Sequence, residues 1–385
     1  MKDYKYTSVS ARRHFHTFDA LRFFAFLKVF LLHIPVTSFT VFNVVRAGGG
    51  FGVQFFFVLS GFLITYIICD EKQRFGQINL SNFFARRVLR IWPLYYLMVL
   101  VAFLTPFILP LLQLPYSAEG YEPNWLLTML FLENYNIIAH GGVVPNVSPL
   151  AIMWSLCVEE HFYIVWGLLL FYLPRRHLPA LILLCVLLAP LFRIVFYSFG
   201  LPTNDLFTHI DLFAFGAIPA WLLISSPQLL DSLVDNIPPL AKSIFLVALV
   251  LVVLAISQFA SNPRVLLWAP SLLGAMFAGL IILVAASRPA FRIADTSVLS
   301  RLGVYTYGLY LYHVLVINAL RQVCVKYDWQ YDGPILNSIA FVTLSFLFTV
   351  LLAYGSYHLF EKQFLKLKKF FRSSTPITAV QLPRT

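Results

Sequence analysis

A guanidinium and an imidazole on one strongly apolar segment are the first groups in this sequence that could do chemistry. The segment FDALRFFAFLKVFLLHI carries Asp19, Arg22, Lys28 and His33, and ionisable groups inside a membrane helix are costly enough to be read as functional first. At about 100° per residue, the eleven steps from Arg22 to His33 return to within roughly 20° of the same helix face, about 16 Å further along the axis. An imidazole titrates near neutrality and can take a proton from a hydroxyl, which makes His33 a candidate general base. Asp19, one turn before Arg22, can fix that guanidinium. The plainer alternative is a snorkelling arginine and a histidine bonded to a neighbouring helix. Lys28 falls on another face, and no role follows for it.

A second set lies in MWSLCVEEHFYIVWG. Ser155, Glu159 and Tyr163 recur at i, i+4 and i+8 and form a polar stripe beside Trp154. Glu160 points roughly 100° away, so Glu159 is the carboxylate expected to serve a shared site. Both glutamates facing outer water is the competing reading. A third set, in FFARRVLRIWPLYYL, comprises Arg86, Arg87 and Arg90. Arg87 and Arg90, three apart, share a face and could clamp phosphate bidentately, although anchoring at a membrane surface explains such arginines equally well. GGGFGVQFFFVLSGFLI places Ser60 and Gly61 where two helices could approach closely. His313, in LGVYTYGLYLYHVLVI, reads as a packing histidine.

The elements that must position these groups are membrane helices. Of 385 residues, 59% are hydrophobic and only 12% charged, half the share found in soluble domains. The apolar residues fall in blocks of roughly 20, the length that crosses a bilayer as a helix. Ten spans are expected, at 18–34, 52–70, 91–111, 151–173, 178–199, 206–224, 241–259, 265–286, 302–324 and 336–361, with 125–139 re-entrant or interfacial. The fold class is therefore all-α, a polytopic membrane bundle of about ten transmembrane helices. A transmembrane unit over 18–364 is flanked by tails at 1–17 and 365–385, and the N-terminal stretch reads as a retained first span.

The net charge of +11 follows from basic loops on one side. Lys2, Lys5, Arg12 and Arg13, then Lys72 and Arg74 with Arg86, Arg87 and Arg90, then Arg175, Arg176, Arg288, Arg292 and Arg301, then Lys362 to Arg372 all fall on the same face. The positive-inside rule puts both termini in the cytoplasm, and the expected location is a bacterial inner membrane. The basic excess needs no nucleic acid partner. Cys69, Cys157, Cys185 and Cys324 are too scattered for a metal or disulfide framework, and no metal is expected.

Taken together, these segments resemble the acyltransferase-3 family of membrane acyltransferases. FDALRFFAFLKVFLLH is similar to its first-span pattern of an arginine, ten residues and a histidine. GGFGVQFFFVLSGFLIT is similar to its second segment, RRVLR to its Arg-x-x-Arg element, WSLCVEEHFY to its Trp-Ser-Leu-x-Val-Glu element, and GLYLYHVLV to its late Leu-Tyr-Leu-x-His element. The matches run in family order from Asp19 to about Val316. Gln54 stands where the family often has an acid, Leu315 where proline is common, and His161 where glutamine is. Some members append a soluble esterase-like domain, and this chain is expected to act alone or with partners.

The resemblance implies transfer of an acyl group, usually acetyl from acetyl-CoA, to a hydroxyl of a cell-surface carbohydrate or glycoconjugate. Arg87 and Arg90, with Arg86, would hold the donor's phosphates. The pantetheine arm would enter along the face marked by Arg22, and His33 would be the base. Glu159 would orient His33 or grip the acceptor, with Trp154, Ser155, Tyr163 and Ser60 lining its site. Beyond these partners only membrane lipids are expected. An acyl-histidine intermediate stays open. Without the resemblance, a transporter or flippase for a lipid-linked glycan fits the same buried charge about as well as an enzyme does. Inverted repeats or paired broken helices would favour it, and the sequence has neither. A non-catalytic sensor or scaffold is the third reading.

Overall fold

A computed structural model describes residues 13–114, 119–259 and 262–371. Lys2, Lys5, Arg12 and Arg372, and most of both expected tails, lie outside them. Every regular element among the described residues is helical, as the block-wise apolar pattern requires. Ten long helices follow the expected blocks: α1 (Phe18–His33), α2 (Gly50–Phe75), α3 (Leu80–Leu111), α4 (Trp154–Tyr172), α5 (Leu178–Ser198), α6 (Leu206–Ser225), α7 (Pro239–Gln258), α8 (Pro263–Ala285), α9 (Thr306–Lys326) and α10 (Ile335–Ser356). Nine described helices are long and apolar enough to cross a membrane. The other, α1, has 16 residues, about 24 Å of rise. Asp19 and Arg22 near one end and His33 at the other bound its apolar run.

The core is centred on α2 and α6. Of the apolar window containing α2, 78% is buried, against 17% for α7, so α2 is an axis and α7 a rim. The rim helices turn Leu183, Leu187, Val247, Leu251, Leu347 and Leu351 outward, as a lipid-facing surface requires. Glycine makes the central contact possible. A Cβ on Gly61 would stand 2.0 Å from the Phe213 carbonyl oxygen, and one on Gly216 would stand 1.8 Å from that of Val58. Neither helix could come so close with any larger residue.

One charged pair is sealed inside this layer. Arg193 of α5 and Asp211 of α6 have side chains 1% and 0% exposed. All five guanidinium N–H groups have acceptors: the carbonyls of Leu267 and Thr208, both Asp211 oxygens, and the Ser271 hydroxyl. Ser271 Oγ in turn donates to Asp211 at 2.6 Å.

Short elements close the two ends. At the Arg22 end, the helix Val298–Val304 lies against the start of α1, where Gly303 meets the Asp19 carbonyl. His14 and His16 both bond Asp295 there, at 3.2 and 2.6 Å. At the His33 end, Thr37 and Ser38 donate to Asp332. Lys28, which had no reading in the sequence, donates to the Val45 carbonyl at 2.5 Å. The 125–139 stretch forms two short helices, Trp125–Met129 and Glu133–Ala139. They fold around fully buried Glu133, which accepts from Tyr121, Thr128 and Asn136.

Candidate active site

Five long helices and the short helix Val298–Val304 converge on a single cavity. Arg22 enters from α1, Ser60 from α2, Arg87 and Arg90 from α3, Ser155, Glu159 and Tyr163 from α4, and Tyr307 and Tyr310 from α9. The space amounts to about 900 Å³ including its mouth. The i, i+4, i+8 stripe of α4 does place its three polar groups on one wall. The Arg-x-x-Arg pair does the same on another, because three residues nearly complete a helical turn.

Charge in the cavity is unbalanced. Three guanidiniums share it with one carboxylate, Glu159. Arg22 pairs with Asp19, just outside the lining. Arg87 and Arg90 make no hydrogen bond among the described residues, and Arg87 Nε is buried without a partner. Arg87 is held instead between the Phe83 and Tyr163 rings, each 5.8 Å from its guanidinium carbon. Packing of this kind fixes the plane of the guanidinium and leaves its N–H edge available to a ligand. Glu159 accepts from the hydroxyls of Ser60 and Tyr163. Glu160 points elsewhere, toward Trp92 Nε1 at 3.3 Å.

Some expected site residues stand off the cavity. Arg86 pairs with Glu71 at 3.1 Å and donates to the Phe371 carbonyl at 2.7 Å. Trp154 packs near His209 and Phe57. His33 is not in the lining either, and no hydrogen bond joins it to Glu159 among the described residues. Its neighbour is His313 of α9, whose Nε2 lies 3.2 Å from His33 Nδ1. His313 Nδ1 faces the Tyr310 carbonyl at 2.5 Å, and the Tyr310 hydroxyl meets Ser155 Oγ at 2.6 Å on the cavity wall. Tyr310 thus touches both places, its hydroxyl on the cavity wall and its backbone carbonyl on His313, with its ring between the two. The sequence reading treated His313 as packing. The signal for it was present in its proximity to three tyrosines on an otherwise apolar span, but its partner lies 280 residues away in sequence.

The acyltransferase domain family matches residues 15–358. The chain belongs to the acyltransferase-3 family. Among similar proteins, the peptidoglycan O-acetyltransferase OatA of Listeria monocytogenes is 29% identical over 83% of this chain and 52% of its own length. The putative peptidoglycan O-acetyltransferase YrhL of Bacillus subtilis is 28% identical over 93% of this chain and 56% of its own. The O-acetyltransferase OatA of Staphylococcus aureus is 31% identical over 46% of this chain and 28% of its own. This acyltransferase-3 chain thus spans about half the length of the first two relatives. No solved structure matches it significantly. Within the family match lie all the cavity-lining side chains, together with His33 and His313. The segment 359–371, which lies across Arg86, falls beyond it.

Proposed function

We propose that this acyltransferase moves an acetyl group from cytoplasmic acetyl-CoA to a hydroxyl of a cell-wall carbohydrate, in a bacterial plasma membrane with both termini cytoplasmic. The observation that supports it best is the cavity with three guanidiniums and one carboxylate, which favours a polyanion. A donor with several phosphates matches that excess. The names of the relatives support peptidoglycan as the acceptor class.

In this reading, Arg87 and Arg90 offer their N–H edges to the phosphates, where bidentate charge-assisted bonds are strongest. Arg22, braced by Asp19, guides the pantetheine arm toward the outer half of the bundle. The acceptor hydroxyl attacks the thioester carbonyl carbon while His33 takes its proton. The C–S bond then breaks, and the leaving thiolate recovers the proton from the imidazolium. Glu159, held by Ser60 and Tyr163, limits the positive potential of the cavity and keeps those hydroxyls in place.

The test is His33→Ala in protein purified into lipid, with labelled acetyl-CoA as donor and soluble peptidoglycan fragments as acceptor. Transfer should be abolished while the variant elutes and melts like the wild type. Near-normal transfer would remove His33 from the reaction.

A further inference from the structure

The pairing of His33 with His313 fixes more than a contact. A carbonyl oxygen can only accept a hydrogen bond. His33 Nδ1 lies 2.9 Å from the Val29 carbonyl oxygen, and His313 Nδ1 lies 2.5 Å from that of Tyr310. Each Nδ1 must then be the protonated nitrogen, and each neutral ring has a bare Nε2. The bare Nε2 of His313 is the atom that stands 3.2 Å from His33 Nδ1. It accepts a share of the His33 Nδ1–H, alongside Val29.

We infer that His313 is a positioning residue that locks His33 in the Nδ1–H tautomer, so that the basic lone pair is on Nε2 and turned away from α9. The surroundings suit this role. His313 is fully buried, and Phe26 packs edge-on against its ring at 5.8 Å. Tyr310 holds the other nitrogen, and its own hydroxyl is tied to Ser155 and to the Ile152 carbonyl. The His313 ring has no room to flip without giving up two polar contacts in an apolar interior, where an unpaired polar group is expensive. When the acceptor hydroxyl gives its proton to His33 Nε2, the Nδ1–H stays where it is. His313 Nε2 then faces an imidazolium N–H, a stronger donor than the neutral ring, so the contact tightens as the charge forms. This is the part that a carboxylate plays behind the histidine of a serine hydrolase triad, carried out here by a neutral ring. Glu159, committed to Ser60 and Tyr163, does not need to reach His33 at all.

The inference rests on His33 being the base, and two measurements separate its failure from the failure of that reading. The first needs no activity: nitrogen NMR of histidine-labelled protein in lipid, with the His33 signals assigned by comparison with His33→Gln. His33 should show Nδ1 protonated and Nε2 bare, and His313→Leu should turn this into a mixture of tautomers. The second is kinetic. His313→Leu should lower kcat by roughly tenfold to a thousandfold, within the span that proton-transfer catalysis contributes, with KM for acetyl-CoA unchanged. His313→Gln, whose side-chain carbonyl oxygen can accept from His33, should recover most of the loss, and the shorter His313→Asn should not. If His313→Leu does not fold, the Gln and Asn variants decide the matter between them. A wild-type His33 protonated on Nε2, or equal kcat in the Gln and Asn variants, overturns the inference. Activity retained in His33→Ala overturns the base assignment and leaves the tautomer lock to the NMR result.

Discussion

Arginine is found in two places in this bundle, sealed inside at Arg193 and at the open cavity at Arg87 and Arg90, and the two could hardly be provided for more differently. Arg193 has every N–H bonded and a carboxylate across two of them, with no space beside it. Arg87 and Arg90 share a cavity with a third guanidinium, and they have no hydrogen-bonding partner among the described residues. Desolvation costs free energy in full at Arg193 and only in part at Arg87, while Arg90 stays exposed. In the first that cost is offset within the protein, and the product is a clamp joining α5, α6 and α8. In the second no protein acceptor among the described residues offsets it, as the proposed donor phosphates would. Burial of charge therefore does not by itself mark a functional site in a membrane protein, as Arg193 shows.

The sealed pair should be the more sensitive of the two to substitution. Asp211→Ala strands a buried guanidinium and should cost about 3–5 kcal/mol, enough to abolish recovery of folded protein. The double variant Arg193→Leu, Asp211→Leu should restore a monodisperse peak on size exclusion and most of the thermal stability. Poor recovery from the double and good recovery from the single would show that the clamp is not what holds those helices.

The cavity should behave in the opposite way. Removing Arg87 and Arg90 together takes away like charges that repel, so folding should survive or improve. The half-saturating concentration of acetyl-CoA should rise about tenfold for each charge-assisted hydrogen bond lost. A lower melting temperature with an unchanged donor requirement would place these arginines beside Arg193 as structural groups.

The smallest effect belongs to a charge that is satisfied but exposed to water. Burial acts to raise the Asp332 carboxyl, and hydrogen bonds from the side chains and backbone of Ser38 and Thr37 outweigh it, holding it down at about 2. A carboxyl depressed in the folded state stabilises above its unfolded value, about 3.9, and that contribution is lost as pH falls through about 2. Protection of the amides in residues 34–39, measured against the exchange rate of a free peptide at the same pH, should thus be full from about pH 4 upward and fall below it. Asp332→Asn should lower that protection at every pH above about 4 without altering transfer. Equal exchange in the wild type and the variant would remove the tether.

The apolar blocks of the sequence translated directly into helices because block length, unlike fold detail, is a local property that the bilayer dictates. Spacing along one helix was equally readable: the Ser155, Glu159, Tyr163 stripe and the Arg87, Arg90 pair needed only the helical repeat. What one helix could not reveal was the identity of a partner on another. Glu159 was a candidate to orient His33, yet Ser60 and Tyr163 take up its oxygen. His313 read as packing because the residue it meets lies on the first helix. Arg193 and Asp211 drew no notice as a pair, since 18 residues and a turn separate them. Arg86 looked equivalent to Arg87 and Arg90 in composition. One residue's rotation around α3 sends it to Glu71 instead.

The glycines at the crossing of α2 and α6 have a kinetic consequence. With backbone against backbone at Gly61 and Gly216, neither helix can ratchet past the other by a turn without driving a side chain into a carbonyl. The crossing of α2 and α6 is thus a fixed keel against which the other helices pack. The transfer proposed above therefore has no rocking of α2 against α6 to draw on.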